Sequence, residues 1–181
     1  MGMATPLYLT VEDLRAFPPD RNRYELVHGE LLVTPAPAMW HEVLVNRLLS
    51  SLIRYTEEQS IGIAFSRSEI EYGRHTHFEP DIMVVSAMDV KQLDWAKVRR
   101  PLLIVEVISS SSTRIDRFTK RVEYLRQGVE PYWVVDGEKH LVEVWSVGHE
   151  SPIFAQDRLR WHPEGVAAPF QLDLPWLFRA P

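Results

Sequence analysis

The sequence has no cysteine among its 181 residues, which excludes disulfide bonds and metal sites built from thiolates. A metal site in this chain must therefore use carboxylates or histidines. No apolar run is long enough to cross a membrane. The N-terminal segment MGMATPLYLT also lacks a basic region followed by an apolar one. We therefore expect a cytoplasmic protein that does not associate with a membrane.

Lysine is scarce as well, since the lysines are Lys91, Lys97, Lys120 and Lys139. Because lysines are few, a lysine at a chemically suitable position is less likely to be there by chance and is a stronger candidate for a functional group. The formal net charge of −5 argues against a surface coated with positive charge for non-specific nucleic-acid binding, but it allows a local basic groove. At this length we expect one domain, residues 1–181, with its own hydrophobic core.

The pattern of apolar residues predicts strands with helices between them. His28-Gly29 separates two apolar segments and predicts a hairpin in which glycine supplies the positive φ of the turn. Apolar residues at helical spacing predict a long helix from Met39 to about Glu58. Further strands are expected at 61–65, 68–72, 82–85, 101–108, 132–135 and 141–145. This order predicts an α/β fold with a mixed sheet.

A second helix is expected after the segment from Ser109 to Thr113, ending at Gly128. The residues predicted to face the core share helical spacing; they are Ile115, Phe118, Val122 and Leu125. At least one hydroxyl of the preceding segment should cap this helix, whose N-terminus could then bind a phosphate.

Two acidic residues occupy strand positions, Asp81 directly after Pro80 and Glu106 within LLIVEVIS. If the two strands are neighbours, these carboxylates could converge at one end of the sheet and bind Mg²⁺ or Mn²⁺. Alternatively, Glu106 could pair with an arginine in the core while Asp81 caps a turn. The spacing alone leaves both interpretations open.

The order of Pro-Asp, about twenty-five residues and a glutamate in an apolar strand resembles the PD-(D/E)XK nuclease superfamily. More closely, the chain resembles the Uma-two family of restriction-endonuclease-like proteins. The matching segments are YELVHGELL (24–32), PAPAMWHEVLVNRL (35–48), FEPDIMVV (78–85), LLIVEVISSSSTRIDRFTKRVEYLRQGVEPYWVVD (102–136) and LVEVW (141–145). The resemblance implies a restriction-endonuclease-like mixed sheet flanked by helices.

The resemblance also implies a four-part catalytic site. Asp81 and Glu106 match the metal-binding acids, and Glu25 matches an additional acid of the metal shell. The superfamily lysine normally lies two residues after the glutamate, where this chain has Ile108. The family pattern supplies a lysine from the following helix instead, which corresponds to Lys120. Its ammonium group would orient the attacking water and stabilise charge on the phosphoryl oxygens.

Helix geometry leaves the role of Lys120 open. This residue lies nearly opposite the predicted apolar stripe, as a solvated lysine would. However, Asp116, Lys120 and Tyr124 are spaced at i, i+4 and i+8 and form a second face that a cleft could receive. Arg114, Arg117 and Arg121 are candidates for contacts with a nucleic-acid backbone; they could equally well be solvated. The tryptophans are expected in the core or at an interface.

The histidines are weaker candidates for the functional site than the acidic residues and Lys120. His41, near the start of the long helix, matches a histidine of the family pattern and could line the cleft or make a structural hydrogen bond. His75 and His77, followed by Asp81, could form a transition-metal site, although Gly73 favours a surface turn there.

Three functions follow as hypotheses. The first is a Mg²⁺- or Mn²⁺-dependent nuclease that hydrolyses phosphodiester bonds, most plausibly in DNA, and that could act as a homodimer. The second is a non-catalytic module that binds nucleic acid or protein and retains the nuclease fold. The third is a metallohydrolase based on His75 and His77.

Overall fold

A computed structural model of the chain describes residues 8–20, 22–108 and 115–181. The proposed anion site at 109–113, Arg114 and the side chain of Asp116 lie outside the described part. Within it, no helix has both the length and the apolar character that crossing a membrane requires.

The strands follow the predicted order, with additional short strands near the C-terminus. They are β1 (Arg23–Val27), β2 (Glu30–Thr34), β3 (Gly62–Ser66), β4 (Ile70–Glu71), β5 (His77–Phe78), β6 (Ile82–Ser86), β7 (Leu103–Ile108), β8 (Tyr132–Asp136), β9 (Leu141–Trp145), β10 (Ile153–Ala155), β11 (Arg158–Trp161) and β12 (Phe170–Asp173). The strand expected at 68–72 is thus limited to two residues, because the chain turns at Gly73 (φ +84°).

The helices include one long element and several short ones. They are α1 (Val11–Arg15), α2 (Met39–Gln59), α3 (Ala87–Val90), α4 (Arg121–Arg126) and α5 (Leu174–Phe178), together with a 3-10 turn at Trp95–Lys97 and a π-helical segment at Ile115–Lys120.

The central sheet has the strand order β10-β9-β8-β7-β6-β3, and a second sheet has the order β2-β1-β5-β4. In the central sheet β7 and β8 run parallel, whereas the neighbouring pairs β6–β7 and β8–β9 are antiparallel. The predicted α/β fold with a mixed sheet flanked by helices is therefore confirmed.

The first hairpin forms where the sequence predicts it. His28 and Gly29 both have positive φ, 51° and 86°, which is typical of a two-residue type I′ turn. The turn pairs Val27 with Glu30 and sets the register of the whole hairpin, up to Arg23 opposite Thr34.

The long helix α2 covers one face of the central sheet. Leu44, Leu48 and Leu52, spaced four residues apart, are at most 1% exposed and pack with Val105 and Trp133. Each fully buried leucine contributes about 1.5–3 kcal/mol. The predicted long helix and its apolar face are confirmed.

The opposite face of the central sheet contains the buried polar groups. Because side chains alternate along a strand, β7 directs Val105 and Val107 toward α2, and Ile104 and Glu106 toward the other side. Phe78 and Tyr124 are buried there as well. Glu106 therefore lies between the two sheets, beneath the helical segment formed by residues 115–126, where it contacts Lys120 and Tyr124.

The prediction that Phe118 and Val122 of that segment face the core was wrong, whereas Leu125 packs against the core as predicted. Phe118 and Val122, expected in the core, are 58% and 57% exposed, whereas Lys120 and Tyr124 are buried. Two features explain the reversal. The first turns are π-helical, which changes the angle between successive side chains. In addition, Glu106 offers the ammonium of Lys120 a charged partner beneath the helix.

Candidate active site

Asp81 and Glu106 lie side by side where the pairing of β6 with β7 ends, Asp81 directly before β6 and Glu106 within β7. The last antiparallel pair of β6 and β7 is Ile82 opposite Val105, so the next residues along both strands are Asp81 and Glu106. The backbone N–H of Val107 donates a hydrogen bond to Asp81 Oδ2 at 2.8 Å. The pairing register of the sheet thus holds Asp81 beside β7.

Glu25 reaches the same region from the second sheet. It lies on β1 and is 1% exposed, as is Glu106. The backbone N–H of Glu79 donates to Glu25 Oε1 at 2.8 Å. We refer to Glu25, Asp81 and Glu106 as the inner carboxylate group.

Lys120 links two members of this group. Its Nζ lies 2.8 Å from Glu25 Oε2 and 3.1 Å from Glu106 Oε1, and the residue is 2% exposed. A buried lysine requires such partners, because desolvation of an unpaired ammonium is very unfavourable. The four residues selected from the sequence therefore lie in one region, with Lys120 in contact with two of the three acids.

Arg23, which was not selected from the sequence, neutralises the remaining acid. Its Nη2 donates to Asp81 Oδ1 at 2.7 Å, and its Nη1 lies 3.9 Å from Glu106 Oε2. Burial alone would lower the pKa of this guanidinium, but the charges of Asp81, Glu106 and Glu25 raise it above its usual value. Arg23 is thus a permanent cation between the carboxylates of Asp81 and Glu106.

Asp81 remains ionised although it is buried. Burial by itself raises the pKa of its carboxyl group. The hydrogen bond from His41, the charge of Arg23 and the Val107 N–H outweigh this effect and lower the pKa from 3.8 to about 2. At neutral pH this carboxylate therefore carries a full negative charge that a cation can bind.

His41 and Tyr124 complete the polar surroundings. His41, in the first turn of α2, donates from Nε2 to Asp81 Oδ2 at 3.0 Å. The hydroxyl of Tyr124 donates to Glu106 Oε1 at 3.4 Å. Burial, followed by the charges of Glu106 and Glu25, raises the pKa of Tyr124 well above its usual value, so this hydroxyl stays a neutral donor.

A cleft of about 690 Å³ opens onto one side of the site. Its lining includes Arg23, His41, Arg67, Glu79 and Asp81. Glu25, Glu106 and Lys120 do not line this cleft and lie deeper in the protein. From the cleft, a substrate group would thus meet Asp81, His41 and Arg23 first.

The inner carboxylate group has the chemistry that a divalent cation requires. Hard carboxylate oxygens suit Mg²⁺ and Mn²⁺. In the part of the chain that the structure describes, the three carboxylates contact the side-chain cations Arg23 and Lys120. Arg23 already extends between Asp81 and Glu106, so a metal ion bound by both acids would have to displace its guanidinium group. The donor atoms suit a metal ion, but among the described residues the three acids do not place one oxygen each within 4.8 Å of one another. An ion bound by all three would therefore also require the carboxylates to move closer together.

Two arginines proposed for backbone contacts already have partners in the protein. Arg117 forms ion pairs of 2.7 Å with Asp136 and with Glu143. Arg121 lies over the ring of Trp145, with its guanidinium carbon 3.9 Å from the centroid. These contacts make both side chains part of the helix–sheet interface.

The predicted metal site of His75, His77 and Asp81 was wrong. His75 is exposed and donates from Nδ1 to the carbonyl oxygen of Leu9 at 2.9 Å. The side-chain partners of Asp81 are Arg23 and His41. Among the described residues, the group with three potential ligand atoms within 4.8 Å of one another contains His77 but neither His75 nor Asp81.

Comparisons with known proteins agree with this architecture. A putative nuclease of the DUF820 group from Anabaena variabilis ATCC 29413 has a similar fold, with a TM-score of 0.80 and 20% sequence identity over 94% of this chain and 97% of that chain. A search of curated proteins gives no match. The Uma2 family, described as "Putative restriction endonuclease", matches residues 11–175. The chain therefore belongs to the Uma2 family.

Proposed function

We propose that this protein is a nuclease that hydrolyses phosphodiester bonds in DNA with the help of a bound Mg²⁺ or Mn²⁺ ion. The observation that carries the proposal is the buried ammonium of Lys120, 2.8 Å from Glu25 and 3.1 Å from Glu106, beside the ionised Asp81. Membership of the Uma2 family and the fold shared with a protein described as a nuclease support the same assignment.

Asp81 and Glu106 would hold the metal ion, with Glu25 completing its shell directly or through water. When bound, such an ion polarises a phosphoryl oxygen and lowers the pKa of a coordinated water. Arg23 must leave Asp81 for this to occur, and its side chain is 22% exposed, so it can turn toward the cleft. There its guanidinium could contact a phosphate of the substrate.

Lys120 would position the attacking water and stabilise the negative charge that develops on the phosphoryl oxygens. The superfamily lysine normally lies at the position that Ile108 occupies in this chain. Lys120 instead places its ammonium group 3.1 Å from Glu106 from the following helical segment. His41 would keep Asp81 oriented through its 3.0 Å hydrogen bond. DNA as the substrate, a cytoplasmic location and a homodimer remain predictions from the sequence.

A cleavage assay tests the proposal directly. Supercoiled and linear DNA are incubated with wild-type protein, with Asp81→Ala and with Asp157→Ala, which removes an exposed carboxylate elsewhere. We expect cleavage by the wild type and by Asp157→Ala in Mg²⁺ or Mn²⁺, and none in EDTA or with Asp81→Ala. Metal-independent cleavage, or full activity of Asp81→Ala, would reject this mechanism.

One observation favours a second function. Arg23 already neutralises Asp81 and approaches Glu106, so the inner carboxylate group could be a purely structural ion-pair network. The protein would then be a non-catalytic module that binds nucleic acid or protein. Calorimetry distinguishes the two, because this alternative requires tight nucleic-acid or protein binding without uptake of Mg²⁺ or Mn²⁺ at millimolar concentration.

A further inference from the structure

A second group of potential metal ligands lies on the short ladder of β4 and β5. These strands pair Glu71 with His77, and Ile70 with Phe78. Ile70 and Phe78 are at most 1% exposed and belong to the core. Because side chains alternate along a strand, Glu69, Glu71 and His77 share the opposite face. One ligand atom from each lies within 4.8 Å of the others. We refer to these three residues as the outer group.

The imidazole of His77 points to a ligand at this place. The residue is 4% exposed, and its Nδ1 is buried without a hydrogen-bond partner among the described residues. This nitrogen lies 3.9 Å from Glu71 Oε1, too far for a hydrogen bond. Nearly all buried polar side-chain atoms in proteins have a partner. A metal ion coordinated by both residues would satisfy Nδ1 once the two side chains move about half an ångström closer, as tetrahedral bonds of about 2.0–2.2 Å require.

The charge around His77 also favours a cation. Its Nε2 lies 3.8 Å from Glu79 Oε1, so carboxylates flank the ring on both sides. Arg15 offsets part of this charge with a 3.2 Å contact to Glu71. That arginine is 61% exposed and also contacts Glu12 on its own helix, so it can leave Glu71 without burying an unpaired charge.

There is room for a hydrated ion next to the ring. A cavity of about 170 Å³ is lined by Glu69, His77 and Glu79, by the exposed Arg15, and by apolar residues that include Leu14 and Phe17. Coordinated water could occupy this cavity, since a cavity needs only about 10–15 Å³ of probe-occupied volume for one water molecule.

We propose that Glu69, Glu71 and His77 bind a divalent transition-metal ion such as Zn²⁺, at a site separate from the inner carboxylate group. One imidazole with carboxylates suits Zn²⁺ or another late first-row ion better than Mg²⁺, which prefers an all-oxygen shell. An ion bound there would stabilise the native state through ligands on both short strands. The chain continues from His77 through Glu79 to Asp81, so the ion would also fix the strand that leads into the candidate active site.

Calorimetric titration with Zn²⁺ tests the site in the full-length protein. The double variant Glu69→Gln/Glu71→Gln removes two ligands that are exposed or half-buried, so the fold should persist. The matched control, Glu57→Gln/Glu58→Gln, removes the same charge from exposed positions on α2. Asp81→Asn reports on the inner carboxylate group. We expect one equivalent of Zn²⁺ to be lost in the first variant and retained in the control and in Asp81→Asn.

The nitrogen resonances of the His77 imidazole provide a readout that does not depend on stoichiometry. We expect Zn²⁺ to shift the Nδ1 resonance of His77 in the wild type and in the control, and Mg²⁺ at the same concentration to leave it unchanged. Equal Zn²⁺ uptake by the wild type and Glu69→Gln/Glu71→Gln would overturn the proposal. A His77 resonance that does not respond to Zn²⁺ would overturn it too, and would assign the ring to an ion-pair network with Glu71 and Glu79.

Discussion

The carboxylates of the inner carboxylate group and those of the outer group differ in solvent exposure. Glu25, Asp81 and Glu106 are at most 5% exposed and contact Arg23 and Lys120. In the outer group His77 is 4% exposed, but Glu69 is exposed and Glu71 half-buried, and the described cation that contacts these carboxylates is the exposed Arg15. Desolvation of a charge costs several kcal/mol. Buried carboxylates therefore need cationic side chains beside them in the folded protein, whereas exposed carboxylates are stabilised by hydration.

This difference determines how each group would bind a metal ion. At the inner carboxylate group an ion must compete with Arg23, a permanent cation of the fold. At the outer group it competes mainly with water and with the exposed Arg15. The inner group should therefore be strongly coupled to the stability of the protein, and the outer group weakly.

The largest effect is expected for Lys120→Met. This change leaves Glu25 and Glu106 buried without the ammonium between them, and we expect the free energy of unfolding to fall by about 3–5 kcal/mol. Urea denaturation measures the change. Lys139→Met, at a residue whose side chain is 65% exposed, is the control and should have little effect. A loss below about 1 kcal/mol for Lys120→Met would contradict strong coupling.

The next largest effect is expected for Arg23→Gln. Asp81 keeps its bonds from His41 and Val107, so the loss should be smaller, about 1–3 kcal/mol. Arg67→Gln, which breaks the exposed pair with Glu42, should cost no more than about 1 kcal/mol. If the two variants are equally stable, the guanidinium of Arg23 does not neutralise the inner carboxylate group.

The pH dependence of stability isolates Asp81. Its pKa is lower in the folded chain, about 2, than the usual 3.8. Its contribution is therefore complete above pH 3.8 and is lost as the pH falls toward 2. The shift corresponds to a contribution on the order of 2 kcal/mol. The stability difference between wild type and Asp81→Asn should shrink by that amount across this window; a constant difference would show that the pKa is not lowered.

The smallest effect is expected for Glu69→Gln without added metal. This exposed carboxylate belongs to the outer group, and its removal should change the free energy of unfolding by no more than about 0.5 kcal/mol. Thermal denaturation in a chelating buffer measures it. A loss comparable to that of Arg23→Gln would remove the distinction between the two groups.

Much of the fold follows from local sequence patterns. The hairpin at His28-Gly29 depends on backbone conformation, and α2 depends on the spacing of its apolar residues, so short windows of sequence predict both. The positions of Glu106 within a strand and of Asp81 directly before one were visible for the same reason. That the whole chain, residues 1–181, is a single domain remains a prediction.

The errors arose where distant residues decide the outcome. Phe118 and Val122 are exposed because the π-helical segment and the partners of Lys120 set the helix face, and helical periodicity contains neither effect. Arg23 was missed because its partner Asp81 is 58 residues away. One signal was available in the sequence. Arg23 and Glu25 are two residues apart on a predicted strand, which places their side chains on the same face.

Calorimetric titration with Mn²⁺ tests the central claim, that Glu25, Asp81 and Glu106 form a cation-binding group occupied in part by Arg23. All proteins compared carry Glu69→Gln and Glu71→Gln, so that Mn²⁺ uptake reports on the inner carboxylate group. Arg23→Gln and Asp81→Asn are each added to this background. We predict one bound Mn²⁺ in the background protein, tighter binding when Arg23→Gln is added and no binding when Asp81→Asn is added. Absence of uptake by all three, or equal uptake by Asp81→Asn, would contradict the claim.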